Sequence, residues 1–237
     1  MKTVVVTADK IKKRNLRYNR LKIILTIILL VFIFCFIIMS VIYNGGRFTV
    51  TLDNNFSLEN NIILYEEEEY KEETRKLYAK NIDYLDNISI DWLPKDIDTE
   101  ADGSHNGENY IAYTFYIENK GTEIVNYWYS IVIDDVIKNV DEAVRVMIYL
   151  NGDKQVYAKT NGLTKAPEKD TKAFLENEEN EVILEARKKF EPNNIDKFTV
   201  VIWLEGDDPD CVDAIIGGEI KMHMEIREEH IKQESGE

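Results

Sequence analysis

Apolar and polar positions alternate with a period of two along most of this chain. In YIAYTFYIENKG (110–121) the alternation sets Ile111, Tyr113, Phe115 and Ile117 on one side. In EIVNYWYSIVID (123–134) it aligns Val125, Tyr127, Tyr129, Ile131 and Ile133. Residues 142–152 align Val144, Val146, Ile148 and Leu150, with Arg145, Met147 and Tyr149 opposite. FTVVIWLEG (198–206) aligns Phe198, Val200, Ile202 and Leu204. GEIKMHMEI (218–226) puts Ile220, Met222, Met224 and Ile226 against Glu219, Lys221, His223 and Glu225. RFTVTLD (47–53) opens the series. A period of two predicts strands. One apolar and one polar face predicts antiparallel sheets with a single covered side.

Turn residues fall between these runs. Asn151-Gly152 predicts a two-residue hairpin, because both positions of such a turn require φ > 0. Gly121 and the Pro192-Asn193-Asn194 cluster mark further reversals. The predicted fold class is all-β: an antiparallel β-sandwich, jelly-roll or Ig-like, preceded by one N-terminal transmembrane helix. Residues 58–95 predict a short helix or a charged crossover. Residues 153–180 predict a long hairpin excursion or surface loop.

The N-terminal region has a different pattern. The 24 residues between Lys22 and Arg47 carry no charge. As a helix they would span roughly 36 Å at about 1.5 Å per residue, enough for a hydrocarbon core of about 30 Å. Residues 1–22 hold eight basic residues against the single Asp9, about +7, so the other 215 residues carry about −22 of the formal −15. Lys and Arg beside a span stay in the cytoplasm. The expected organisation is a basic cytoplasmic arm (1–22), a transmembrane helix (23–46), an extracellular β-sandwich domain (47–230) and a disordered tail (231–237). Tyr43 stands where an interfacial aromatic belongs. The apolar run is longer than that of a cleaved signal, and no A-x-A-like site follows it. Phe34 stands before Cys35 where a lipid-attachment signal needs a small residue. An uncleaved anchor is therefore expected. Cys35 in the span and Cys211 outside it cannot pair with each other.

Two acidic stretches are candidate cation loops. In DIDTEADGSHNGEN (96–109), Asp98, Glu100 and Asp102 fall at alternate positions, followed by Gly103 and Asn106. Calcium loops use that spacing, because alternate oxygens converge on a hard cation while glycine allows a sharp turn. Asn109 stands where the bidentate glutamate of such a loop would be. The second stretch, EGDDPDC (205–211), brings Asp207, Asp208 and Asp210 together with Glu205. Carboxylates this close repel unless solvent or a cation manages them. The two loops could share one calcium ion if the fold brings them together; the alternative is a pair of solvated acidic turns. Cys211, flanked by aspartates, has a disfavoured thiolate and reads as unreactive.

The strands TFYIENKG and NYWYSIVID, followed late by IDKFTVVIWLEG, come after an N-terminal hydrophobic segment. This order resembles the exported surface proteins of Gram-positive bacteria related to camelysin and the TasA biofilm fibre protein. The chain departs from them in lacking the small residues of a cleavable signal. The resemblance implies a cell-surface role.

The sequence contains no H-E-x-x-H, G-x-S-x-G, P-loop or G-x-G-x-x-G motif. A charge near −22 on the exported part repels phosphate, which excludes nucleic acid as its partner. The expected function is a non-enzymatic, membrane-anchored cell-surface or extracellular-matrix protein. It would act through contacts with a protein partner or by self-association, with strand addition at a sheet edge as one route. The alternative is an anchored accessory subunit of a secretion, conjugation or envelope complex. A metalloprotease is the third reading, carried by the camelysin resemblance alone.

Overall fold

The computed structural model describes residues 8–43, 48–82, 84–177 and 180–229. The expected tail, 231–237, lies outside them, as does the end of the expected span, 44–46. The chain divides into two compact units, 1–45 and 46–237.

The first unit is one helix, α1 (Ala8–Tyr43). The stretch Asn15–Met39 is long and apolar enough to cross a membrane. Leu25, Phe32, Phe36 and Met39 are all exposed on it. A helix that is apolar all round has no face suited to water. The helix also runs back through much of the basic arm, which the charge pattern had set apart from it.

Among its described residues the second unit has twelve strands, one short α-helix and three 3-10 turns. In chain order the strands and the helix are β1 (Thr49–Leu52), α2 (Asn54–Asn60), β2 (Ile62–Tyr65), β3 (Lys76–Tyr78), β4 (Gly103–Ser104) and β5 (Tyr110–Asn119). Then follow β6 (Val125–Ile137), β7 (Val144–Leu150), β8 (Asp153–Ala158) and β9 (Lys172–Ala173), and finally β10 (Glu181–Phe190), β11 (Ile195–Leu204) and β12 (Glu219–Glu228). The first sheet has the order β10-β6-β12-β1-β3. The second has the order β2-β5-β11-β7-β8-β9, with β4 paired to β5.

The aligned apolar faces meet in one core shared by the two sheets. Tyr113, Phe115 and Ile117 of β5 and Phe198, Val200 and Ile202 of β11 belong to it, with Tyr127, Tyr129 and Ile131 of β6. Ring contacts cross between the sheets: Tyr129 meets Phe198 edge-on at 5.2 Å, a favoured aromatic geometry. The Asn151-Gly152 hairpin forms between β7 and β8, with φ of 53° and 88°.

The sheets are mixed, and the antiparallel expectation is corrected. β1 runs parallel to β12, and β8 runs parallel to β9. The reason is connectivity. Hairpin neighbours must be antiparallel, whereas strands joined through a long excursion are not so constrained. β1 and β12 lie at opposite ends of the domain sequence, and β8 reaches β9 through residues 159–171.

The second correction concerns the outer face of the second sheet. Trp203, Met147, Ala112, Val156 and Val201 point away from the main core, yet they are buried. Ile88, Leu93 and Ile97 pack over them. The segment 84–109 is thus a covering layer that doubles the core on this side. The described residues of 58–95, expected as a short helix or charged crossover, hold the end of α2, β2, β3 and a 3-10 turn at Ile90–Trp92.

The loop leaving β11 as candidate functional site

β11 ends at Leu204, and Glu205 turns the chain away from the sheet. The backbone N–H of Glu205 donates to the Ala143 carbonyl at 2.9 Å. Ile88 donates to Leu204, and Gly206 donates back to Ile88, each at 2.9 Å. The covering layer is therefore tied to the strand end by its own backbone.

Each carboxylate of the loop then takes a separate task. Glu205 is buried, and its Oε2 accepts from the Trp203 indole and from the Ile90 N–H, both at 3.1 Å. The indole of a buried Trp needs such an acceptor. Asp207 accepts from the Ser89 hydroxyl at 2.6 Å. Asp208, whose side chain is fully buried, pairs with the equally enclosed Arg145. Its other oxygen accepts from the Asp210 N–H at 2.8 Å. Asp210 accepts from the Gly162 N–H at 2.7 Å. A Cβ at Gly162 would lie 2.9 Å from an Asp210 oxygen, so a larger residue there would displace that carboxylate. Cys211 is a free thiol whose Sγ accepts from the Asn87 amide at 3.3 Å. The loop is a hub that fixes three other segments, 87–90, 143–145 and 161–162.

The first candidate loop does different work. Asp102 accepts from the Tyr116 hydroxyl at 2.5 Å and from the Glu68 N–H at 3.0 Å. Asn106 donates to the Lys80 carbonyl and accepts from the Ala112 N–H. Asp98 is half-buried and Glu100 exposed. Glu100 Oε2 lies 3.8 Å from His105 Nδ1, too far for a hydrogen bond. Among the described residues, the acidic group whose oxygens all lie within 4.8 Å of one another is Glu168, Asp208 and Asp210. Three ligand oxygens at that spacing could hold a hard cation. The set keeps two of the seven residues expected from sequence, Asp208 and Asp210, and adds Glu168 from the 159–171 excursion. Asp98, Glu100, Asp102, Asn106 and Asp207 stand outside it. Glu168 was indistinguishable in sequence from the other acids of a polar loop.

His105 bridges loop and sheet. Its Nε2 lies 3.0 Å from the Thr114 hydroxyl, which is 2.7 Å from that of Thr199. Burial pushes its pKa below the ordinary histidine value of 6.5, and Lys197 acts in the same sense; Glu100 and Asp102 oppose them.

Around the hub, several apolar side chains stand in solvent. Trp92 is 74% exposed and Leu163 90%, with Val212 and Ile216 also open. Each is carried on a segment anchored to, or part of, the 205–216 connection.

No protein-family model and no curated protein matches the chain. The solved structures the chain is similar to include two of the β-glucosidase from Kluyveromyces marxianus. The complex with glucose aligns at 12% identity and a TM-score of 0.28, over 76% of this chain and 18% of the enzyme. The selenomethionine-labelled form aligns at 10% identity and a TM-score of 0.24, over 69% and 16%. The chain thus spans less than a fifth of that enzyme's length. Likenesses at these scores carry no argument about fold or chemistry.

Proposed function

We propose that the protein is a non-enzymatic, membrane-anchored surface or matrix protein that acts through protein–protein contacts. The observation that carries this reading is the set of exposed apolar side chains on tethered loops: Trp92, Leu163, Val212 and Ile216. Exposed aromatic and aliphatic groups on a fixed scaffold suit partner contacts, because little ordering entropy is lost when they bind. The sheet edges are less suited. β3 and β9 are short, and β10 bears Lys188 and Lys189 beside an irregular register between Arg187 and Phe190. Short strands, lysines and bulges are how proteins discourage edge pairing. The contact is therefore assigned to the loops rather than to strand addition.

The reading includes an N-in anchor with the sheet domain outside the cell. It also includes a sandwich of jelly-roll or Ig-like type, supported by the core that the two sheets share. It agrees with the camelysin- and TasA-like order of features. A photoreactive amino acid placed at position 92 or 163 of the full chain in intact cells tests it. Discrete crosslinked adducts are expected there and not from position 189 on β10. Absence of adducts at both loop positions would reject the reading.

An accessory subunit of an envelope complex is the second reading, favoured by one observation. α1 is 36 residues long, about 54 Å, well beyond the roughly 30 Å that a bilayer core needs. Its extra turns fall in the basic arm, giving that arm a defined shape to present.

A further inference from the structure

Where β10 of the first sheet faces β8 and β9 of the second, a cleft of about 470 Å³ opens between the sheets. That size falls within the range of small-molecule sites. Its apolar floor comes from Leu150 and the buried Ile148 of β7 and from Tyr129 and Tyr157, which are 8% and 4% exposed, with the Lys172 ammonium 5.6 Å from the Tyr157 ring centre. Its rim is polar, with Asn151, Gln155, Glu185 and Arg187 presenting flat amide, carboxylate and guanidinium ends. Asp153, Lys154 and Lys172 complete it.

The rim is held from behind. Asp196 is only 1% exposed. Its carboxylate accepts from Arg187 Nε at 2.9 Å, Arg187 Nη2 at 3.2 Å, Asn151 Nδ2 at 2.7 Å and the Tyr127 hydroxyl at 2.7 Å. A buried carboxylate is tolerated only with such compensation. Two of its partners, Arg187 and Asn151, belong to the cleft wall, so the buried charge sets their positions. On the same wall, Glu185 Oε1 accepts from Tyr157 at 3.0 Å and from Lys172 at 2.8 Å. Tyr157 and Glu185 thereby join the two sheets across the opening.

Two charges of this wall are answered by ion pairs, Arg187 by Asp196 and Lys172 by Glu185, and the remaining two, Asp153 and Lys154, are opposite in sign. A charged ligand gains little there. Hydrogen-bonding capacity remains, however, on the second oxygen of Glu185, the carbonyl of Gln155 and the ammonium of Lys154. Planar polar groups around an apolar, ring-bearing floor match a ligand that alternates hydroxyl groups with C–H faces. We propose that this inter-sheet cleft binds a neutral saccharide of one to three rings. The proposal rests on the cleft alone and is independent of which partner, if any, the loops recognise.

Saturation-transfer NMR on the full-length chain in nanodiscs tests it, with maltotriose, cellotriose, chitotriose and mannotriose as probes at millimolar concentration. At least one sugar is expected to receive saturation on its ring protons. Lys154→Ala combined with Gln155→Ala should weaken that binding about tenfold, the loss of one or two hydrogen bonds. Lys154 is exposed, and half-buried Gln155 donates only to the neighbouring Val156 carbonyl, so the thermal midpoint should move little. Two results would overturn the proposal: no saturation transfer to any of the four sugars, or equal binding by the double variant.

Discussion

At the scale of single residues, the pair Arg145 and Asp208 decides how the acidic loop is tolerated. Their side chains are 5% and 0% exposed. Removing one member of a buried ion pair leaves the other charged and unanswered, which costs about 3–5 kcal/mol. Arg145→Ala should therefore lower the unfolding free energy by about that amount in urea denaturation. Replacing both members with apolar residues, Arg145→Met with Asp208→Leu, should restore much of the loss. Equal destabilisation by the single and double variants would mean that packing, not charge, holds the site. Neither partner was legible as such. Alternation set Arg145 on a face expected to be wet, and Asp208 was one acid in a run of acids. The two stand 63 residues apart, and no period in a sequence encodes that distance. The burial of Trp203 was hidden for the same reason. Its side was read correctly, but the layer that covers it, Ile88 to Ile97, has no regular spacing of apolar residues.

At the scale of elements, the clean alternations became strands in the expected register of faces, and Asn151-Gly152 became a hairpin turn. β8 and β10 escaped notice because each mixes core residues with charged ones, Asp153 and Lys154 in β8 and Arg187, Lys188 and Lys189 in β10. The loop 96–109 was read for its carboxylates, whereas its histidine also helps to fasten it to the sheet, alongside Asp102 and Asn106. This attachment should depend on pH. Burial lowers the pKa of His105 in the folded state below the 6.5 of the unfolded chain. As pH falls through 6.5, the unfolded chain therefore takes up a proton that the folded chain refuses. The sign is fixed by linkage: stability is full above 6.5 and declines as the pH drops toward the folded-state value. Thermal midpoints measured from pH 7.5 down to 5.5 should fall more steeply for the native chain than for His105→Gln. Parallel curves would remove His105 from the account and leave the acid sensitivity to the carboxylates.

At the scale of the whole chain, the parallel pairing of β1 with β12 is the feature least accessible from sequence. It joins the two ends of the domain, and nothing local announces it. Charge, by contrast, was legible at once. Eight basic residues precede the apolar run, and the remaining chain carries about −22. Positive residues beside a span resist translocation, while acidic domains cross with little hindrance. The proposed reading accordingly has an inward N-terminus and an outward sheet domain, and protease accessibility tests that orientation. With the wall removed, protease added to intact cells should digest the sheet domain and spare an epitope placed within residues 1–22. In inside-out vesicles the pattern should reverse. A sheet domain that survives until the cells are lysed would place it in the cytoplasm. The exposed Trp92 and Leu163 would then have to meet a cytoplasmic partner, and the surface reading would fall while the fold, the hub and the inter-sheet cleft stood unchanged.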